Sequence, residues 1–228
     1  MKLSDNTVKV LKNFSTINQG IVVKPGKVLR TISPNKSILA EASVGEKFPH
    51  EFGIYDLNKT LSLLSMSTEN EVEVEKEFLE FTGLAGRGKI RQRFTASNLI
   101  LSPPENKKIP NPASDVSFKM TLDVLNWIFN VANVLKCPNF VFKGNDSSDG
   151  MQIIATDVKG QVVDDASVNV DASFDEPFNV AIKVENLKVI PQAYDVILSS
   201  NGLSVFTSED ASLKYWIAIE MNNSSFGD

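Results

Sequence analysis

Near its midpoint the chain carries Ser102-Pro-Pro-Glu-Asn-Lys-Lys-Ile-Pro-Asn-Pro-Ala-Ser114, four prolines without hydrophobic periodicity, and the sequence after it repeats the plan of the sequence before it. Proline fixes φ and continues neither a helix nor a central strand, so the stretch is a semi-rigid connector. Lys2-Leu3-Ser4 matches Lys119-Met120-Thr121 at an offset of 117, which also carries apolar Val8, Leu11, Phe14 and Ile17 onto Leu125, Ile128, Val131 and Val134. Agreement in strand end, helix cap and helix phase indicates an internal duplication. It predicts two domains of one architecture, residues 1–108 and 109–228.

In the first half Ser4 or Asp5 caps a helix to about Thr16. Short β-rich runs follow at Gly20–Val23, Lys27–Ile32, Ser37–Ala42 and Glu51–Tyr55. Asp56 caps a second helix with Leu57, Leu61 and Leu64 inward, and further strands include Glu71–Glu75, Lys89–Phe94 and Asn98–Leu101. The second half starts with a strand at Asp115–Met120 and a helix capped by Thr121 that runs to about Leu135. Strands are expected at Phe140–Lys143, Met151–Asp157, Ala166–Val170 and Val180–Lys183, a helical turn at Glu185–Val189, then strands at Asp195–Ser199, Leu203–Thr207 and Leu213–Glu220. Each half is α+β: antiparallel strands with two short helices.

At 42% hydrophobic and 22% charged, the 228 residues can bury a real core. No apolar run reaches the roughly 18 residues of a membrane span, and the polar opening Met1–Thr7 is no signal peptide, so the expectation is a soluble, intracellular protein. One Cys137 and one His50 exclude a disulfide and a soft-ligand metal centre. Charge is lopsided: residues 1–110 carry 16 Lys/Arg against 12 Asp/Glu, and 111–228 carry 7 against 16.

Catalytic signals are weak. Gly83-Leu-Ala-Gly-Arg-Gly88-Lys89-Ile90 is one residue short of a phosphate-binding loop, lacks the magnesium hydroxyl at Ile90, and runs into a strand pattern where a helix is needed. Glu71, Glu73, Glu75 and Glu77 share a strand face, about 6.5 Å apart, and read as a solvated acidic face. His50 sits in a polar loop with no nucleophile nearby, and Cys137 reads as a buried thiol. With no GxSxG, HExxH, CxxC or GxGxxG, no catalytic role, metal or cofactor is expected. The polar arcs of the long helices carry more information. Lys9, Asn13 and Thr16 map by the offset onto Asn126, Asn130 and Asn133, groups suited to meeting phosphates without reading bases, although any amphipathic helix has a wet face.

Met1-Lys-Leu-Ser4, Leu11-Lys-Asn-Phe14 with Ile17-Asn18, Gly20-Ile21, and Tyr55-Asp-Leu-Asn58 with Leu61-Ser-Leu63 resemble the sliding clamps, the DNA polymerase processivity factors, of myovirus-type phages. Asn186-Leu-Lys-Val189, Pro191, Tyr194–Leu198 and Tyr215–Glu220 are similar to the closing strands of that family. The resemblance covers both ends and the duplicated plan, and is weakest at about 66–96 and 140–180.

It implies a homotrimeric ring in the cytoplasm of a bacterial host, helices inside and antiparallel sheets outside, encircling duplex DNA. Its implied partners are DNA polymerase, a clamp loader ATPase and late-transcription factors, with no membrane. The implied lining is Lys9, Lys12, Asn13, Lys59, Asn126, Asn130, Asn133, Lys136 and Lys188, and the second domain offers fewer cations than such proteins place there. Arg87, Lys89, Arg91 and Arg93 are candidates to compensate. A ring closes by joining strand edges; the candidates by position are Asn98, Leu99, Ile100 and Leu101 from one domain and Ala166, Ser167, Val168, Asn169 and Val170 from the other. A partner pocket between the domains is expected at Ile32, Ile38, Leu203, Ile217 and Ala218, with ordinary core as the competing reading of each. The alternative for the whole chain is a β-rich viral structural or assembly protein without DNA function.

Overall fold

The computed structural model describes residues 1–104, 112–145, 150–160 and 163–227, so most of the proline-rich stretch lies outside the described residues. The chain divides into two compact units, Met1–Asn106 and Lys107–Asp228.

Unit one opens with α1 (Asp5–Ile17). Its N-cap Ser4 accepts from the Thr7 amide at 3.3 Å, and the Glu46 carboxylate takes both the Ser4 amide and the Thr7 hydroxyl. These bonds occupy donors that a helix start leaves open. The elements β1 (Ile21–Val23), β2 (Gly26–Ile32), β3 (Ile38–Phe48) and β4 (Phe52–Ile54) lead to α2 (Leu57–Ser65), whose cap Asp56 accepts from the Lys59 amide at 2.9 Å. Then β5 (Val72–Val74), β6 (Phe78–Gly83) and β7 (Gly88–Arg93) form a three-stranded sheet in that order. α1 packs on α2, β2 and β3, burying Val10, Leu11, Phe14 and Ile17. A fully buried side chain such as Phe14 contributes roughly 1.5–3 kcal/mol.

The expected strand at Asn98–Leu101 is not one. Ser97–Leu99 is a 3-10 turn, and the segment is pinned to its own unit. Ile100 is buried where Gly53 and Gly20 lack side chains: a Cβ on Gly53 would lie 2.8 Å from the Ile100 Cδ1 and 2.4 Å from the Thr95 carbonyl oxygen. The Leu101 carbonyl is taken by the Asn18 amide at 3.0 Å. A backbone held this way presents no ladder to a partner.

Unit two repeats the opening with β8 (Val116–Met120) and α3 (Leu122–Leu135), capped by Thr121 onto the Val124 amide at 3.3 Å and ended by Lys136 in the left-handed region (φ 57°). It continues with β9 (Asn139–Gly144), β10 (Met151–Thr156), β11 (Ala166–Val170), β12 (Ala172–Phe174) and β13 (Phe178–Lys183). The last strands are β14 (Tyr194–Ser199), β15 (Leu203–Ser208), β16 (Leu213–Ala218) and β17 (Ser225–Phe226). One sheet runs β11-β10-β9-β13-β17, all antiparallel, with β11 at its edge; β12, β8, β14, β15 and β16 neighbour one another in that order. Tyr194 and Tyr215 are fully buried and share one backbone unit: the Tyr194 hydroxyl donates to the Ile190 carbonyl, and the Ile190 amide donates to the Tyr215 hydroxyl at 3.2 Å. Burial, their first cause, pushes both phenols upward.

The sequence pattern named no strand at β6, β12 or β17. The helical turn expected at Glu185–Val189 is a 3-10 turn at Val184–Asn186 without a side-chain cap, so the described residues hold three α-helices, not two per domain. Leu187, Val189 and Ile190 are all buried, a spacing that fits no single helix face.

Candidate nucleic-acid interface

Lys9 and Lys12 stand one turn apart on the outer face of α1, both exposed, with Asn13 half-buried beside them. Lys59 is exposed in the first turn of α2, the helix against which α1 packs. Several other surface cations of this unit are engaged: Lys2 with Glu69 at 2.6 Å, Lys24 with Glu51 at 2.5 Å, Arg30 with Glu41 at 2.6 Å. Among the described residues Lys9, Lys12 and Lys59 pair with no carboxylate, so their charge stays available to an outside anion.

In unit two Asn126, Asn130 and Asn133 form one exposed stripe on α3, and exposed Lys136 follows at its end. Lys188 is exposed on the loop after the 3-10 turn rather than on a helix. Lys136, Asp157, Lys159, Lys183, Glu185 and Glu220 border an open hollow of about 580 Å³ at the end of α3. Lys159 escaped sequence reasoning because it lies in a turn, outside any periodic element.

The helix correspondence needs correction. Buried Leu125, Ile128 and Ala132 match buried Thr7, Val10 and Phe14, each pair 118 residues apart. The offset of 117 holds at the caps, Ser4 with Thr121, but the buried face of α3 is turned by one position from it, about 100° of rotation. In the packed register Lys9, Asn13 and Thr16 correspond to Trp127, Val131 and Val134, and Lys12 to Asn130. Val134, expected inward like Ile17, is 80% exposed.

The basic stretch is committed locally. Glu80 on β6, 5% exposed, is held by Lys89 at 2.5 Å and Arg91 at 2.8 Å from β7, and Arg93 reaches Glu77 at 3.4 Å. Lys89 first and then Arg91 hold the Glu80 carboxyl below its ordinary range. A lowered folded-state pKa adds stability that is complete above the unfolded value, near pH 4.3, and is lost as pH falls through the folded one. Glu80→Gln is expected to lower the urea midpoint at pH 7, with the gap to wild type closing at pH 3. An equal gap at both pH values would show that the ion pair contributes nothing.

The near-miss phosphate loop is a hairpin between β6 and β7 with a 3-10 turn at Leu84–Gly86, and its Lys89 serves Glu80. Glu71, Glu73, Glu75 and Glu77 are exposed. His50 is half-buried, not a surface group. Its ring lies edge-on to Phe52 and Phe94, with Nδ1 3.0 Å from the Glu51 carbonyl oxygen and Nε2 2.9 Å from that of Glu75. Of the expected pocket, Ile38 and Ile217 are buried and belong to the core. Leu203 and Ala218 face each other across β15 and β16, half-buried, and Ile32 is half-buried at the end of β2.

A model of the DNA polymerase processivity factor family matches residues 3–80. The chain is 29% identical to the sliding clamp of Vibrio phage KVP40 over 96% of this chain and 99% of the other. It is 27% identical to that of Enterobacteria phage T4, with 98% of each covered. Among solved structures, the PCNA2–PCNA3 complex from Sulfolobus tokodaii shares the fold, with a TM-score of 0.69 at 11% identity over 96% of this chain and 98% of that chain. The duplicated α+β units, the helix-borne cations and these likenesses over nearly the whole length agree: the chain resembles the sliding clamps, the DNA polymerase processivity factors, of T4-like phages.

Proposed function

We propose that three copies close into a ring around duplex DNA inside the infected bacterial host and hold the polymerase there by topology, with no catalytic step of their own. The observation that carries this reading is the set Lys9, Lys12 and Lys59, exposed on two helices that pack on one another and pairing with no carboxylate among the described residues. Asn126, Asn130, Asn133, Lys136 and Lys188 extend the lining, with Lys159 added. Few charges suit a sliding contact, because each phosphate neutralised adds affinity and resists movement.

For ring closure, β7 replaces Asn98–Leu101 as the edge contributed by unit one. It is one edge of its three-stranded sheet and carries Arg91 and Arg93, which stay exposed while each also reaches a carboxylate of the same sheet, whereas β11, an edge strand of unit two, is flanked by exposed Asp164, Asp165 and Asp171. Two different edges of opposite charge make a head-to-tail contact, the kind that generates rings. Leu203 and Ala218, paired on unit two, remain as surface for an apolar anchor from the polymerase, the loader ATPase or a late-transcription factor. Light scattering after size exclusion should give three times 25.1 kDa, and primer extension with the cognate polymerase and loader should lengthen when the protein is added. A monomer that leaves extension unchanged would instead favour an assembly protein.

A further inference from the structure

We propose that Met221–Gly227 is a displaceable cover on the edge of β13, and that this edge, once uncovered, takes an extended segment of a partner protein by strand addition. The inference lies within unit two and stands whether or not copies close into a ring.

β13 is a core strand: Phe178, Val180, Ala181 and Ile182 are all buried. β9 pairs with one side of it along all six residues. The other side is closed by the segment after β16, and closed unevenly. β17 pairs at two positions, Phe178 with Phe226 and Asn179 with Ser225. By Ala181 the segment has left the ladder for a 3-10 turn at Met221–Asn223. The Ala181 amide therefore donates to the Ser224 hydroxyl at 2.9 Å, while the Ala181 carbonyl takes the Glu220 amide at 2.9 Å. A hydroxyl stands where a neighbouring strand presents a backbone carbonyl. An extended peptide supplies that carbonyl without a turn.

Composition explains the uneven fit. Asn222, Asn223, Ser224 and Ser225 are poor strand formers whose side chains bond to nearby backbone in competition with a ladder. Ser224 does this, donating to the Glu220 carbonyl at 2.8 Å. None of Met221–Gly227 is buried; Phe226 is half-buried and Met221 is 48% exposed.

Unit one shows a firmly held cover at the matching place. There β4 pairs with β1, the first strand after α1, as β13 pairs with β9, the first strand after α3. The other side of β4 is met by Thr95, whose amide donates to the Gly53 carbonyl at 2.9 Å. That segment is locked by buried Ile100 against Gly20 and Gly53, and by the Asn18 bond to the Leu101 carbonyl. The cover over β13 has no such buried anchor, and segments with few buried apolar contacts open locally.

The cover also states what the edge accepts. Phe226 stands across from Phe178, whose ring meets Phe174 with centroids 4.9 Å apart. The partner segment carries an aromatic or bulky aliphatic residue opposite Phe178 and runs extended past Ala181.

Hydrogen exchange reads the cover directly. Val180 and Ile182 alternate with Ala181 and face β9, so their amides are the controls. In the full chain the Ala181 amide should exchange about 100-fold faster than either control. Phe226→Asp should speed Ala181 by about a further tenfold, the loss of roughly half a buried phenyl group, with the controls and circular dichroism unchanged. Ser224→Ala, which removes only the hydroxyl acceptor, serves as a second variant with the same expected direction. A labelled peptide with the sequence of Met221–Gly227 is the probe for strand addition. It should bind the Phe226→Asp chain about tenfold more tightly than wild type, because the competing cover is weakened, and should slow exchange at Ala181. Ala181 exchange as slow as at the controls in wild type and both variants would overturn the displaceable cover. A peptide that leaves Ala181 exchange unchanged in the variants would overturn strand addition.

Discussion

Placed by its cognate loader on a nicked circular duplex and then washed in high salt, the protein is expected to stay on the circle and to leave once a single cut linearises it. Electrostatic attachment and topological linkage respond oppositely to these treatments. If about six phosphates were neutralised, affinity would drop roughly a thousandfold between 50 and 200 mM salt, whether or not the DNA had ends. A closed ring is indifferent to that salt change and sensitive only to ends. The chain's net charge of −5 argues for the second regime, since little attraction remains once the helix lysines are screened. Retention should be counted by gel filtration of the DNA with labelled protein. Equal loss from circles and linear molecules would mean that no closed ring forms.

Replacing Lys9, Lys12 and Lys59 together by glutamate should reduce extension to the length made by polymerase alone, with the mass and circular dichroism of the protein unchanged. All three side chains are exposed and pair with no carboxylate, so substitution breaks no internal contact and surface changes of this kind move stability by about 0.5 kcal/mol or less. The effect on DNA is large because six units of charge per chain reverse on one surface. Binding of the free protein to duplex should also lose about 2.7 from its log–log salt slope if all three lysines meet phosphates. Neutral glutamine variants should fall between wild type and the glutamate triple. Normal stimulation by the glutamate variant would show that these helices face something other than DNA.

Trp127, 44% exposed on α3, shows why the rotation of that helix was hidden from sequence. α3 is apolar on much of its circumference, so its pattern is compatible with more than one rotation. Motif matching at Lys119-Met120-Thr121 selected a register one residue away from the packed one. α1, whose lysines and asparagines mark its wet side clearly, was placed correctly. The strand expected at Asn98–Leu101 was misread for a related reason: the segment has strand composition, but Ile100 fills the space above Gly20 and Gly53, a fit between segments distant in sequence.

The caps Ser4, Asp56 and Thr121, the starts of all three helices and most strand positions follow from the sequence alone, because each depends on hydrogen bonds and side-chain spacing within a few residues. The exposure of Lys9, Lys12 and Lys59 was legible for the same reason. Tertiary structure alone decided the rotation of α3, the burial of Ile38 and Ile217, the capture of Lys89 and Arg91 by Glu80, and which strand edges stay open. These depend on which distant surfaces meet, and a face is buried or exposed only once its neighbour is in place.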